Sequence, residues 1–363
     1  MSQKFHHLTI KDIRKETADC VSIAFAIPAE KTALFQFTQG QYISLKKDID
    51  GKDIRRSYSI CSSPLDNELR VAIKKVRGGI FSTYANTKLT IGDTLEVMPP
   101  LGKFFTPLSS SQSLNYAAFA AGSGITPILS IIKTTLLTEP SSTFTLVYGN
   151  KNRHSIIFRE AIEALKNKFI NRFRVIYILS REKTDAAIQF GRIDADKCEA
   201  LFAKAIDKHK IDAYFICGPQ SMTETVKNNL ATSGVDAAKI HVELFGVGKK
   251  NDRRLTIDDK AQTIDVSLTI KSNITIKLDG VAFDFELANN GESILDAALA
   301  QSADLPFACK GGVCCTCKAK LIEGEVKMDV VYGLEPDEIA AGFILTCQSH
   351  PKTKTVVVDF DAK

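Results

Sequence analysis

Four of the nine cysteines in this chain are spaced for chemistry. Cys309, Cys314 and Cys317 read C-x4-C-x2-C, and Cys347 follows after a long gap. Soft thiolates suit iron, and this is the ligand spacing of a [2Fe–2S] cluster. Three ligands on one tight loop can wrap one side of the cluster, so the fourth must arrive from a distant strand end. Gly311 and Gly312 lack side chains, which lets backbone N–H groups approach the sulfurs. Cys315 falls outside the spacing and reads as a non-ligand. Zinc also takes four thiolates, but it usually pairs two C-x2-C knuckles, and only one is present. Such a cluster carries one electron at a time and catalyses nothing alone, so something upstream has to load it.

Two motifs upstream could do so. Arg56-Ser57-Tyr58-Ser59 reads as part of a strand. Arg56 can neutralise a pyrophosphate, Tyr58 can stack on an isoalloxazine ring, and Ser59 can hydrogen-bond its edge. Downstream, Gly78-Gly79-Ile80-Phe81-Ser82 suits the start of a helix whose free N–H groups receive phosphate, with Gly79, Phe81 and Ser82 as candidate contacts. Either motif alone is commonly surface decoration; together in one barrel they point to a flavin.

A third set points to a nicotinamide dinucleotide. Gly122, Ser123, Gly124 and Thr126 lie between a strand and a helix, where glycines permit a close turn against a pyrophosphate. Cys217-Gly218-Pro219 ends another strand, the place where parallel sheets bind ligands. Ser180 and Arg181 end the strand before it, where a hydroxyl and a guanidinium could grip a 2′-phosphate and favour NADPH over NADH. The plain alternative is an exposed arginine at a strand end.

These residues need elements to hold them. Up to about residue 107 the chain alternates apolar and polar residues in short runs, as in Gln41–Leu45 and Leu69–Lys74, with Gly and Pro at turns. That pattern predicts an antiparallel β-barrel. From about 112 to 246, apolar strands alternate with helical patterns, including Pro127–Leu137, Ser155–Lys166 and Ser221–Ser233, which predicts a parallel sheet flanked by helices. A charged stretch beginning Lys249-Lys250 reads as a linker. The remainder has strands at Ser267–Leu278, Ala282–Leu287 and Thr355–Phe360, a helix at Ser293–Ala300, and the size of a small ferredoxin. The expected domains are therefore 1–108 for a flavin barrel, 109–248 for an α/β nucleotide domain, 249–267 for the linker and 268–363 for an α+β β-grasp domain.

Composition narrows the class. No run reaches about 18 apolar residues, and the first residues carry no hydrophobic signal core, so no membrane span is expected and the cytoplasm is the default. A reducing compartment suits metal-ligand spacing, and Cys20, Cys61, Cys198 and Cys217 read as reduced thiols. From Ile270 onward nine lysines face fourteen acidic residues, a charge of −5; with a net charge of +5 for the whole chain, the rest carries +10. Opposite fields favour encounter between an electron carrier and its partner. The basic residues are dispersed and no nucleic-acid motif accompanies them, so nucleic-acid binding is not expected.

With these motifs in this order, the whole chain resembles the ferredoxin–NADP reductase superfamily with a C-terminal ferredoxin domain. The order FAD, NAD(P), ferredoxin is that of reductases serving multicomponent oxygenases. Within that group, Arg55–Pro64 and His241–Phe245 most resemble the reductase subunits of phenylacetyl-CoA epoxidases, and steroid hydroxylase reductases look similar too. The resemblance implies FAD on Arg56, Tyr58, Ser59 and Ser82, and NAD(P)H near Gly122, Thr126, Cys217 and Gly218. It places Phe245 near the flavin, although some reductases of these modules carry FMN. Ser59 or Thr126 is expected at the flavin's reactive edge, with Glu243 assisting the nicotinamide. The implied partner is an oxygenase component. Other acceptors, such as a desaturase or a hybrid-cluster protein, and a redox sensor are the competing functions.

Overall fold

The computed structural model describes residues 4–245, 271–288 and 291–362, in two compact units, one spanning residues 5–245 and one beyond it. The expected linker at 249–267 lies outside the described residues.

The first unit opens with six strands: β1 (His6–Thr17), β2 (Cys20–Ala26), β3 (Tyr42–Ile49), β4 (Lys52–Ser59), β5 (Leu69–Lys74) and β6 (Thr94–Val97), with helix α1 (Ile80–Thr87) before β6. They pair antiparallel in the order β4-β3-β6-β1-β2-β5. The chain beyond β4 joins the two ends: Ile60 bridges Val71, and the Cys61 N–H donates to the Arg70 carbonyl at 2.9 Å. Closure of this kind removes the exposed edges of a sheet. Alternate residues, among them Leu8, Ile10, Ile23, Ile43 and Val97, fill the interior together with Phe81 of α1.

One buried cation ties three parts of this barrel. Arg70, 4% exposed, bonds Asp12 of β1, Glu68 at 2.7 Å and the Ser22 hydroxyl at 3.0 Å. The hydrogen bonds from Arg70 are the main reason that both carboxyls sit below the ordinary carboxylate range.

The same unit continues as β7 (Asn115–Ala121), α2 (Ile125–Thr138), β8 (Thr143–Asn150), α3 (Arg159–Lys168), β9 (Phe173–Leu179), α4 (Ala195–Lys204), β10 (Ala213–Cys217), α5 (Gln220–Thr232) and β11 (Ile240–Glu243). All pairs are parallel, in the order β11-β10-β7-β8-β9. Helices cover both faces: Ile128, Ile132 and Ile162 pack with Tyr116 and Ala118 on one, Leu201, Val226 and Leu230 with Phe119 and Ile216 on the other. Burial on both faces explains why β7 and β10 read as continuous apolar runs. The order reverses between β7 and β10, so the crevice beyond their C-terminal ends is where such a sheet receives a ligand.

The helix expected from Ser155 starts only at Arg159. Asn152 and Ser155 cap each other's backbone in a separate short turn, and Phe158 adopts a left-handed φ of 61°, which delays the helix.

The second unit contains β12 (Lys271–Leu278), β13 (Val281–Ala288), α6 (Ile294–Ala300), β14 (Lys318–Glu323), β15 (Val326–Met328), α7 (Pro336–Ala340), β16 (Phe343–Leu345), β17 (Ser349–Pro351) and β18 (Thr355–Asp359). Its main sheet runs β13-β12-β18-β14-β16, mixed through a parallel β12–β18 pair. Ser293 caps α6 by accepting from the Asp296 N–H, and Leu295 and Ala298 pack on Ile274, Leu345 and Val356. This is a β-grasp arrangement, with the cysteine loop between α6 and β14.

Replacing Arg70 with Met should destabilise the barrel by about 1–3 kcal/mol, because Glu68 and Asp12 lose their buried partner, while Arg14 still pairs with Asp12 at 2.7 Å. Denaturant unfolding of the purified protein checks this. A loss below about 1 kcal/mol would show that solvent replaces the guanidinium.

Candidate functional site

Within the second unit, the four spaced cysteines come together as two pairs. Cys309 and Cys314 lie within hydrogen-bond reach of each other, as do Cys317 and Cys347. The Cys309 thiol donates to Cys314, which is the main cause holding the Cys314 thiol low; Cys317 lowers Cys347 in the same way. Among the described residues, no three His, Cys, Asp or Glu side chains converge as one metal ion requires. Two thiol pairs with backbone donors around them fit the four-thiolate set of a two-iron centre. Backbone donors surround the sulfurs: the Gly311 N–H reaches Cys309 Sγ at 3.2 Å, and the Cys309 N–H reaches Cys314 Sγ at 3.4 Å.

Small residues make that loop possible. Gly312 has φ +72°, and a Cβ there would lie 3.0 Å from Gln348 Cγ and 3.1 Å from Val330 Cβ. Cys315, at φ 50°, turns its thiol toward the Gly333 carbonyl.

Strand β4 ends in the flavin motif. Arg56 is exposed, Tyr58 is half-buried and Ser59 is buried. Phe81 lies in the barrel core with its ring 5.7 Å from that of Tyr58, so it backs the tyrosine. Helix α1 begins after Gly79 without a side-chain cap, which leaves its first N–H groups for an anion. The Ser82 hydroxyl is engaged within its own turn, accepting from the Val76 N–H at 3.1 Å and donating to the Gly79 carbonyl at 3.3 Å. An exposed guanidinium, an aromatic face and an uncapped helix suit a flavin nucleotide.

The nucleotide loop lies at the reversal point of the parallel sheet. Gly122 has φ +55°, and its carbonyl accepts from the Tyr148 hydroxyl at 2.9 Å. Gly124 packs on the Cys217–Gly218 backbone so closely that a Cβ would lie 2.1 Å from the Cys217 carbonyl oxygen. The two glycine motifs are therefore one surface. Thr126 is buried and donates to the Ser123 carbonyl at 3.0 Å, shaping the loop. Pro219 precedes α5.

Ser180 and Arg181 sit apart from that turn, beyond β9. Their N–H groups donate to the carbonyls of Asn150 and Lys151 at 2.9 and 2.8 Å, and the Arg181 side chain is exposed. Neighbouring Glu182 pairs with Arg153.

The barrel and the sheet meet at the candidate centre. Ser59 Oγ donates to Glu243 Oε2 at 3.1 Å, and Glu243 is the register partner of Cys217. Burial pushes the Glu243 carboxyl up to about 8, with the Ser59 bond opposing. Part of the residue is still solvent-accessible, but the carboxyl itself is crowded by protein. Burial, then the Glu243 charge, raises the Cys217 thiol. Phe245, two residues on, is exposed.

One residue at this centre escapes a reading of the sequence. Lys74, at the end of β5, brings its Nζ to 3.8 Å from where a Gly122 Cβ would lie. It adds positive charge from the barrel to the nucleotide loop. Only its place at a strand end hinted at this.

A barrel carrying a flavin site, fused to a dinucleotide-binding sheet and followed by a [2Fe–2S] β-grasp module, defines a flavin-dependent nicotinamide oxidoreductase. Family models agree: residues 7–106 match the oxidoreductase FAD-binding domain, 119–228 the oxidoreductase NAD-binding domain, and 276–352 the 2Fe-2S iron-sulfur cluster binding domain. The chain is 45% identical to one of the subunits of the 1,2-phenylacetyl-CoA epoxidase of Escherichia coli (strain K12), covering 99% of this chain and 98% of that one. It is 32% identical to the ferredoxin reductase component of the 3-ketosteroid-9-alpha-monooxygenase of Rhodococcus rhodochrous, over 97% and 96%. Phthalate dioxygenase reductase shares the fold, with a TM-score of 0.60, 24% identity and 98% coverage of both chains. The chain belongs to the family of flavin and iron–sulfur reductase components of oxygenase systems.

Folded, Glu243 keeps its proton between the ordinary carboxylate range and about pH 8, where the unfolded chain has released it. Stability should therefore fall as pH rises through that window and level off above it. Glu243→Gln removes the decline. Thermal melts should show little difference at pH 5 and a higher midpoint for the variant at pH 9, at about 2–4 °C per kcal/mol. An equal gap at both pH values would mean that Glu243 is not held protonated by folding.

Proposed function

We propose that this chain draws electrons from NADPH and delivers them singly to the oxygenase component of a phenylacetyl-CoA epoxidase-type system. The 45% identity over nearly the full length of both chains carries the choice of partner. Bound FAD and a [2Fe–2S] cluster would supply hydride acceptance and its conversion into single-electron transfer, chemistry that no side chain can supply.

The chain's own residues bind and orient. We assign Cys309, Cys314, Cys317 and Cys347 as the cluster ligands. Arg56 and the α1 N-terminus at Gly79, Phe81 and Ser82 receive the FAD pyrophosphate, and Tyr58 lies along the ring. Gly122, Ser123, Gly124 and Thr126 line the nicotinamide dinucleotide's approach, with Cys217, Gly218 and Pro219 opposite. Ser59 and Glu243 hold a proton at the meeting of the two sites. Phe245 lies near the flavin. Ser180 and Arg181 receive the 2′-phosphate, with Lys151 and Lys183 nearby in the chain. We assign residues 1–108, 109–248 and 268–363 to the three domains. No described helix is long and apolar enough to cross a membrane, and all nine cysteines are free of disulfides; both support a place in the reducing cytoplasm.

Two variants test the route and the coenzyme. Cys314→Ser should abolish cytochrome c reduction while sparing ferricyanide reduction through the flavin; survival of both activities would remove the cluster from the route. Arg181→Ala should weaken NADPH use by about 2–3 kcal/mol in kcat/KM and leave NADH nearly unchanged. Equal losses would remove Arg181 from the 2′-phosphate.

A further inference from the structure

Most hydrogen bonds to the four thiols come from backbone N–H groups, which any sequence supplies. Two side chains add to them: Thr316 at Cys314 and, reaching across two segments of the loop, Gln348 at Cys347. The Gln348 side-chain amide nitrogen lies 3.5 Å from Cys347 Sγ, 2.9 Å from the Cys347 carbonyl and 3.2 Å from the Lys310 carbonyl. Lys310 follows the first ligand and Gln348 follows the fourth, so this carboxamide spans the two segments that hold the cluster. Its stem lies over Gly312, 3.0 Å from where a Cβ there would stand, so a larger residue at 312 would press on Gln348. The neighbouring backbone holds the segment: the Asp329 N–H donates to the Gln348 carbonyl at 3.0 Å.

We propose that Gln348 sets the reduction potential of the [2Fe–2S] centre, by donating an N–H to the Cys347 sulfur while its bridge to Lys310 fixes the distance. Two amide hydrogens serve three acceptors, so the sulfur shares one of them. Reduction adds negative charge to a centre whose sulfurs already bear it. A donor aimed at sulfur therefore stabilises the reduced form more than the oxidised form and raises the potential. Gln348 touches a ligand and no iron, so it is a positioning and tuning residue.

The inference rests on the ligand set assigned above, and the test separates the two. Gln348→Met keeps length and shape but removes the donor. Gln348→Glu keeps shape and adds negative charge. Val330→Ala loosens the packing on Gly312 and removes no donor. All are made in the full chain, with iron and sulfide content measured first and the midpoint read by EPR-monitored redox titration. Gln348→Met should lower the midpoint by about a tenfold change in the reduced-to-oxidised ratio, 59 mV for one electron. Gln348→Glu should lower it further, and Val330→Ala should leave it in place. A fully loaded Gln348→Met centre with the parent midpoint, or an equal shift in Val330→Ala, would overturn the role of Gln348 and leave the ligands standing. If the Gln348 variants hold no cluster, the parent decides: ¹⁵N labelling of glutamine side chains should give a nitrogen coupling in the pulsed EPR of its reduced centre, and absence of that coupling overturns the proposal. A parent chain that binds no iron or sulfide would refute the ligand set and the proposal together.

Discussion

The hydrogen bond from Ser59 to Glu243 constrains the first unit, because its two ends belong to different sheets. Ser59 closes the flavin strand of the barrel, and Glu243 closes the edge strand of the parallel sheet. For them to meet, the barrel has to present its motif toward the C-terminal ends of β10 and β7, where the sheet order reverses. Helix α2 secures the same alignment. Its Ser130 donates to the Ser62 carbonyl at 2.6 Å, and its Thr134 hydroxyl lies 2.9 Å from that of Ser63. Both partners follow Ser59 by a few residues. Helix α2 itself starts at the Gly122–Gly124 turn, so the nucleotide loop and the flavin strand are anchored to one another at both ends. Buried polar contacts of this kind are costly if mispaired, which makes the alignment specific.

The cluster module meets a different requirement. Four thiolates repel one another, and only neighbouring donors and the metal offset this. Glycines at 311 and 312 let the backbone come near, and the left-handed Cys315 engages its thiol with the Gly333 carbonyl. Gln348 adds a contact that a single substitution can tune without breaking a ligand.

Sequence pattern revealed the cysteines most fully, because metal chemistry restricts both residue type and spacing. The barrel and parallel sheet were legible from their periods, since alternation marks one-sided burial and continuous apolar runs mark burial on both faces. The Arg56–Ser59 and Gly122–Thr126 motifs were legible as chemistry, but their mutual approach was not. That approach depends on contacts such as Ser59 with Glu243, Gly124 with Cys217, and Lys74 with Gly122, each between residues far apart in the chain. The start of α3 was misplaced for a local reason: a phenylalanine in a left-handed conformation leaves no mark in an apolar pattern. The amide of Gln348 gave no signal, since glutamine beside a ligand is ordinary until its reach to Lys310 is seen.

The account stands on a bound flavin that splits electron pairs for a two-iron centre, and a reductive titration tests this most directly. Purified under anaerobic conditions and titrated with dithionite, the full chain should take up about three electrons, two at the flavin and one at the cluster. An EPR signal of a reduced [2Fe–2S] centre should appear as the cluster absorption bleaches. Uptake of two electrons with zinc in the cysteine site, or no uptake at all, would contradict it.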